Sequence, residues 1–345
     1  MRASMTRSAS GGMGRVLWPV IGALVLGLWQ PSWAQTPPAS GAVAARSLTE
    51  WLTRMHDASR QRAYTGTLVV SSASTMSAAR IWHICDGTQQ MERVDTLTGA
   101  PRSTIRHNSD VITFVPDEKL ALVDRRESLG VFPELLQMPS SSLPDFYSLR
   151  EGKSERVAGY PADVVEITPR DNLRFGYRIW SEKSTGLVVK LQTLGEQGTV
   201  LEQVAFSELQ LDAPVRMDKL KRLMGDTRGY TVHRQSLRKT TAEAEGWRLK
   251  EVVPGFQPMS CHTREPEAGA APGATPMQWV FSDGLTSVSL FIEPFDPQRH
   301  VGEKITATGA THALTRRLGT YWVTALGEVP PATLRRFANA LERSR

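Results

Sequence analysis

His83 and Cys85 stand two positions apart in an alternating stretch, which places a base and a nucleophile on one face of a strand. A working thiol–imidazole pair needs hydrogen-bond contact, and two positions along a strand span about 7 Å. That spacing gives both side chains a structural role. The 7 histidines and 2 cysteines show no metal-ligand spacing, and the chain carries no H-E-x-x-H, C-x-x-C, G-x-S-x-G or phosphate-binding glycine loop. Neither a metal nor a cofactor is expected, and binding is favoured over catalysis. Cys85 and Cys261 are too few for a disulfide framework. One long-range bridge and two separate thiols both remain open.

The informative constellation is apolar. Phe175, Tyr177 and Ile179 alternate along one segment, and Leu187, Val189 and Leu191 along the next. Arg174, Arg178, Lys190 and Gln192 fall on the opposite faces. Two readings fit: a core packed by one amphipathic helix, or a cavity for a lipid acyl chain or apolar peptide.

The elements that position these residues are legible from periodicity. Ser47 and Glu50 form a capping box, and Leu48, Trp51, Leu52 and Met55 recur at helical spacing, which predicts a helix over 48–60. From Tyr64 to Leu211 the period switches to two. Strands are expected at 65–70, 79–85, 90–97, 102–107, 111–115, 120–123, 156–158, 163–168, 173–180, 187–194 and 199–211. The last three form a meander, and so many strands with one helix predict a large curved sheet holding the helix in its concavity. Gly130 to Leu149 breaks the alternation, with Phe132, Leu135, Leu136 and Met138 at helical spacing.

Residues 1–34 read as a secretory signal peptide. Arg2, Arg7 and Arg15 precede the apolar run Val16–Trp29, and Ser32-Trp33-Ala34 supplies small residues at −3 and −1. Loss of those three arginines lowers the formal charge from +6 to +3, too mild for a nucleic-acid binder. Residues 35–46 are expected to be disordered. Residues 213–246 carry Arg216, Lys219, Lys221, Arg222, Arg228, Arg234, Arg238 and Lys239 against four acids, and read as a mostly irregular basic linker. A solvated connector and a contact for lipid phosphates, with Lys219, Lys221 and Arg222 as candidates, both fit. From Trp247 a smaller α+β domain follows, with strands at 247–253, 277–281, 288–294, 304–314 and 319–326. A closing helix after Pro330-Pro331 turns Leu334, Phe337 and Leu341 inward.

The runs Arg156-Val157-Ala158-Gly159-Tyr160-Pro161, Pro169 to Trp180 and Thr199-Val200-Leu201-Glu202-Gln203 resemble the RseB/MucB family of sigma-E regulators. Tyr64-Thr65-Gly66-Thr67, Val253-Pro254-Gly255-Phe256, Phe281-Ser282-Asp283-Gly284-Leu285 and Gly327 to Ala332 resemble it too, in the same order. The resemblance covers about 47–345. It implies a LolA/LolB-like curved, incomplete β-barrel over 47–212 with helices in its concavity, then a small α+β domain over 247–345. It further implies a periplasmic, non-enzymatic regulator without cofactor. Such a regulator binds the periplasmic segment of an anti-sigma factor of the RseA/MucA kind, shields it from regulated proteolysis, and is released by lipid or lipopolysaccharide. The carrier-like fold favours the cavity reading for Phe175, Tyr177, Ile179, Leu187, Val189 and Leu191, and allows a lipid or lipoprotein carrier as the alternative function. It fixes neither the oligomeric state nor the place of Cys85 and Cys261.

Overall fold

The Ser47 hydroxyl accepts the Glu50 backbone N–H while the Glu50 carboxylate accepts the Ser47 N–H, and this reciprocal cap starts α1 (Leu48–Gln61). Leu48, Trp51, Leu52, Met55, His56 and Ala58 are its buried side. The computed structural model describes residues 46–72, 75–125, 142–234, 237–264 and 275–344. By contact the chain divides into Met1–Ala45 and Arg46–Arg345, and every described residue lies in the second unit. The signal peptide, almost all of the 35–46 segment and the helical reading of Phe132 to Met138 lie outside the described residues.

Twelve strands follow α1: β1 (Tyr64–Ser72), β2 (Thr75–Cys85), β3 (Gln90–Thr96), β4 (Ser103–His107), β5 (Asp110–Val115), β6 (Leu120–Arg125), β7 (Tyr147–Glu151), β8 (Glu155–Val157), β9 (Tyr160–Pro169), β10 (Gly176–Glu182), β11 (Val188–Leu194) and β12 (Val200–Leu211). A short α2 (Leu143–Phe146) precedes β7. β1 pairs with β12 on one side and β2 on the other, so the β9–β12 meander joins the β1–β6 run through the β1–β12 pair. The sheet remains open, ending at β7 on one side and beyond β6 on the other. This is the incomplete barrel that the family resemblance implies. Tight turns obey their residues: Ala158 and Gly159 both take positive φ in the two-residue β8–β9 hairpin.

Within the stretch 213–246, expected as a mostly irregular basic linker, three regular elements form. They are α3 (Met217–Gly225), β13 (Thr231–Arg234) and β14 (Leu237–Lys239). Leu220 is buried against Met91, Ile105 and Ile112, with Val215, Met217, Leu223 and Met224 around it. These apolar residues recur at helical spacing between the charges, which is why α3 packs. β13 adds in parallel to β6, and β14 joins the second sheet.

The remaining elements are β15 (Trp247–Leu249), β16 (Gln257–Arg264), β17 (Met277–Ser282), β18 (Ser287–Pro294), β19 (Lys304–Thr308), β20 (Thr311–Leu318), β21 (Tyr321–Gly327), α4 (Pro331–Ala340) and β22 (Leu341–Arg343). With β14, β16 to β21 build a seven-stranded sheet ordered β14-β16-β17-β18-β21-β20-β19, covered by α4 through Leu334 and Phe337, while β15 and β22 pair separately. The single strand expected at 304–314 is a hairpin, turned at Gly309 with φ +60.

Candidate functional site

α1 is fixed onto the large sheet by packing and by three polar ties. Leu48, Trp51, Leu52 and Met55 form one cluster with Val165 and Ile167 of β9, Tyr177 and Ile179 of β10, and Val188 and Leu191 of β11. Trp51 Nε1 donates to Glu151 at 2.9 Å, and Arg54 donates to the Lys183 carbonyl at 2.7 Å and Ser181 at 3.4 Å. Burying the four apolar α1 side chains removes each from water at about 1.5–3 kcal/mol.

All six apolar candidates are buried, but they do not form one surface. Tyr177, Ile179 and Leu191 meet under α1, while Leu187 and Val189 belong to a second cluster with Ala58, Tyr64, Leu68 and Phe206. A bulge explains the split. Trp180 pairs with Lys190 and Ser181 with Val188, which leaves Val189 as the extra residue. The shift brings Val188 into the α1 cluster, against the simple alternation. Phe175 leaves the group altogether and sits 5.7 Å, ring to ring, from His312. α1 thus occupies the face on which Tyr177, Ile179 and Leu191 meet. A groove of about 480 Å³ lies on the polar side of α1 instead, lined among others by Thr53, Arg54, Asp57 and Thr185.

The cationic candidates are exposed on α3 and fall on two flanks. At 100° per residue Lys219 and Arg222 are neighbours and Lys221 points away. Lys221 donates to Gln89 at 2.6 Å, and Arg222 pairs with Asp218 at 3.2 Å. Cys85 and Cys261 are both free thiols, and burial raises the Cys261 pKa to about 11. Among the described residues no group of three or more His, Cys, Asp or Glu is placed to hold a metal ion.

A junction between the two sheets was not legible in the sequence. Arg174, assigned above to the polar face of a strand, lies in the loop before β10 and is fully buried. Its Nε donates to Asp283 Oδ2 at 2.7 Å, and its other nitrogens donate to Asp171 and to the Pro254 carbonyl. Tyr147 donates to the same Asp283 oxygen at 2.8 Å, and Asp283 Oδ1 accepts the Leu285 and Thr286 N–H groups. The Tyr147 hydroxyl stands well above the phenol range, chiefly from burial and then from the Asp283 charge. Around this ion pair the lobes exchange side chains: Leu173 enters the core of the small sheet, and Leu285 enters the α1 cluster.

The description "MucB/RseB N-terminal domain" matches residues 47–224 and "MucB/RseB C-terminal domain" matches residues 241–342. The chain belongs to the MucB/RseB family. The sigma factor AlgU regulatory protein MucB of Pseudomonas aeruginosa is 30% identical over 302 residues, covering 86% of this chain and 91% of that one. The sigma-E factor regulatory protein RseB of Escherichia coli is 21% identical over 321 residues, covering 90% and 92%. Among solved structures, the Pseudomonas aeruginosa MucA/MucB complex matches with a TM-score of 0.66 at 28% identity, covering 86% of this chain and 99% of that chain. These MucB/RseB relatives are named for regulation, and the matches span both sheets and α1.

Proposed function

We propose that this chain is a periplasmic negative regulator of an envelope-stress sigma factor. It binds the periplasmic segment of a membrane anti-sigma factor of the MucA/RseA kind and shields that segment from regulated proteolysis. The observation that carries this reading is the likeness, across nearly the whole chain, to MucB in its complex with MucA. Under this reading the large lobe (47–212) and the small lobe (247–345) act as two domains joined through 213–246. Lipid or lipopolysaccharide acts as the releasing signal. Apolar chains would compete with α1 for the face of Tyr177, Ile179 and Leu191, and Lys219 and Arg222 would contact phosphates. No catalytic step is required: the proposed work is done by binding.

The test is titration of the purified chain into the periplasmic segment of the anti-sigma factor, followed by protease challenge of that segment with and without lipopolysaccharide. The reading expects binding, slower cleavage, and restored cleavage on adding lipopolysaccharide. Absence of binding overturns it. Tight lipid uptake without any effect on the anti-sigma segment would favour the carrier reading, which the α1-covered apolar face supports.

A further inference from the structure

Among the described residues, one face of β1 to β4 carries a buried polar chain that the binding role does not use. Tyr64, His83, Glu92 and Arg106 follow one another across β1, β2, β3 and β4 at paired positions. All four are buried, and the Tyr64 ring stacks on His83 at 4.9 Å. His83 Nδ1 lies 2.6 Å from the Arg62 carbonyl, just past the end of α1. A carbonyl only accepts, so Nδ1 carries the proton and Nε2 of the neutral ring is an acceptor. Gln90 Nε2 fills that position at 2.7 Å. The amide's other end, Oε1, accepts from Arg106 at 3.3 Å, and Arg106 holds Glu92 at 3.0 Å and the Asn108 carbonyl at 2.7 Å.

This chain has one proton arrangement. A second proton on His83 would set Nε2–H against the Gln90 NH₂, donor against donor. Turning the Gln90 amide relieves that clash but aims the NH₂ at the Arg106 guanidinium. The charged groups facing the ring are Arg60 of α1, Glu92 of β3 and Arg106 of β4, with Tyr64 of β1 as the stacked titratable neighbour. Glu92 and the Arg62 carbonyl favour the charged ring, but Glu92 is already bound by Arg106. Burial, the largest influence, opposes the charge, and the two arginines add to that opposition.

We propose that His83 is an acid-operated latch: its protonation breaks the Gln90–Arg106–Glu92 chain and loosens the β2–β4 part of the sheet where the end of α1 is seated. Its physiological meaning rests on the periplasmic reading above, since that compartment follows external pH, but the latch itself does not. The neutral ring is native, so stability is complete above the ordinary imidazole pKa and falls as pH drops below it.

Two measurements on the wild-type chain and on His83→Gln test this. Gln can offer a donor and an acceptor without titrating in this range. Between pH 7.5 and 5.0 a histidine of ordinary pKa in the unfolded chain weakens the folding equilibrium by up to about 30-fold if the folded state takes no proton. Urea unfolding should show that loss in wild type and a loss smaller by up to the same factor in His83→Gln, while His56→Gln leaves the His83 contribution in place. Long-range nitrogen–proton NMR of wild type, which does not depend on the variant folding, should show His83 as the Nδ1–H form at pH 7.5. An Nε2–H ring, ordinary titration in the folded state, or identical pH dependence in a folded His83→Gln would overturn the latch. Because no partner enters these assays, their failure would leave the regulatory reading standing. Failure of partner binding would leave the latch standing.

Discussion

Arg174 and Asp283, 109 positions apart, form an ion pair at 2.7 Å with both side chains fully buried. One comes from the loop before β10 and the other from the turn after β17, so the pair ties the large sheet to the small one. Its partners are saturated: Tyr147, Asp171, the Pro254 carbonyl and two backbone N–H groups complete it. Phe146 and Phe256 lie over the guanidinium at 4.4 and 5.0 Å. Such an arrangement specifies one relative placement of Leu173 and Leu285, the residues that cross between cores.

Removing one partner should therefore cost far more than a surface ion pair. Asp283→Ala leaves a buried guanidinium uncompensated, at about 3–5 kcal/mol. Chemical unfolding should show a lower midpoint, with the α1 cluster and the small sheet melting apart instead of together. Fluorescence from Trp51 and from Trp279, each read in a variant lacking the other tryptophans, would separate the two. A shared, unshifted transition would contradict the tie.

Gly255 tests the same junction from the backbone. Its φ is +81, and an added Cβ would collide with Arg174 Nη2 and the Phe146 ring. Gly255→Ala should destabilise by more than the roughly 1 kcal/mol that a left-handed alanine alone costs. Combined with Arg174→Ala, the added cost should shrink, because the colliding nitrogen is gone. Additive losses in that double-mutant cycle would show that the two residues do not communicate.

Much of the fold was legible because period and capping chemistry act locally. The Ser47–Glu50 box, the α1 face and most strands of the large sheet follow from neighbours in sequence. Three things did not. β7 is only five residues long, and β16 carries Pro258 and a bulge near its start, so their pairing is decided by β9 and β17. The bulge at Val189 shifts side-chain parity through a backbone event that alternation does not encode. Arg174 looks solvated until Asp283 and Pro254 arrive from more than 75 positions away, and only tertiary contact reveals a buried charge.

The basic stretch should be cut by trypsin in a defined order. Lys219, Lys221 and Arg222 sit in a helix anchored by Leu220, whereas β13 and β14 are short, wholly exposed strands. Cleavage needs local opening, and short edge strands open most readily. First cuts are expected at Arg228, Arg234 and Arg238, read by mass spectrometry at low protease. Early cutting at Lys219 to Arg222 would mean that α3 is not packed in solution.

The apolar face makes the sharpest test of lipid release. Ile179 is fully buried beneath α1, so Ile179→Asp places an unpaired charge in the core and is expected to cost several kcal/mol. Leu52→Ala on α1 is the gentler probe: it removes about 2–5 kcal/mol of packing and weakens the seat of the helix without altering the sheet. If acyl chains enter where α1 sits, the folded Leu52→Ala chain should bind an acylated fluorophore more tightly than wild type, because less helix contact must be displaced. Charge-neutralised Lys219 and Arg222 together should reduce lipopolysaccharide binding and its salt dependence, with Lys221 contributing little from its separate flank. Unchanged fluorophore affinity in Leu52→Ala would place lipid entry away from α1, leaving Tyr177, Ile179 and Leu191 as core alone.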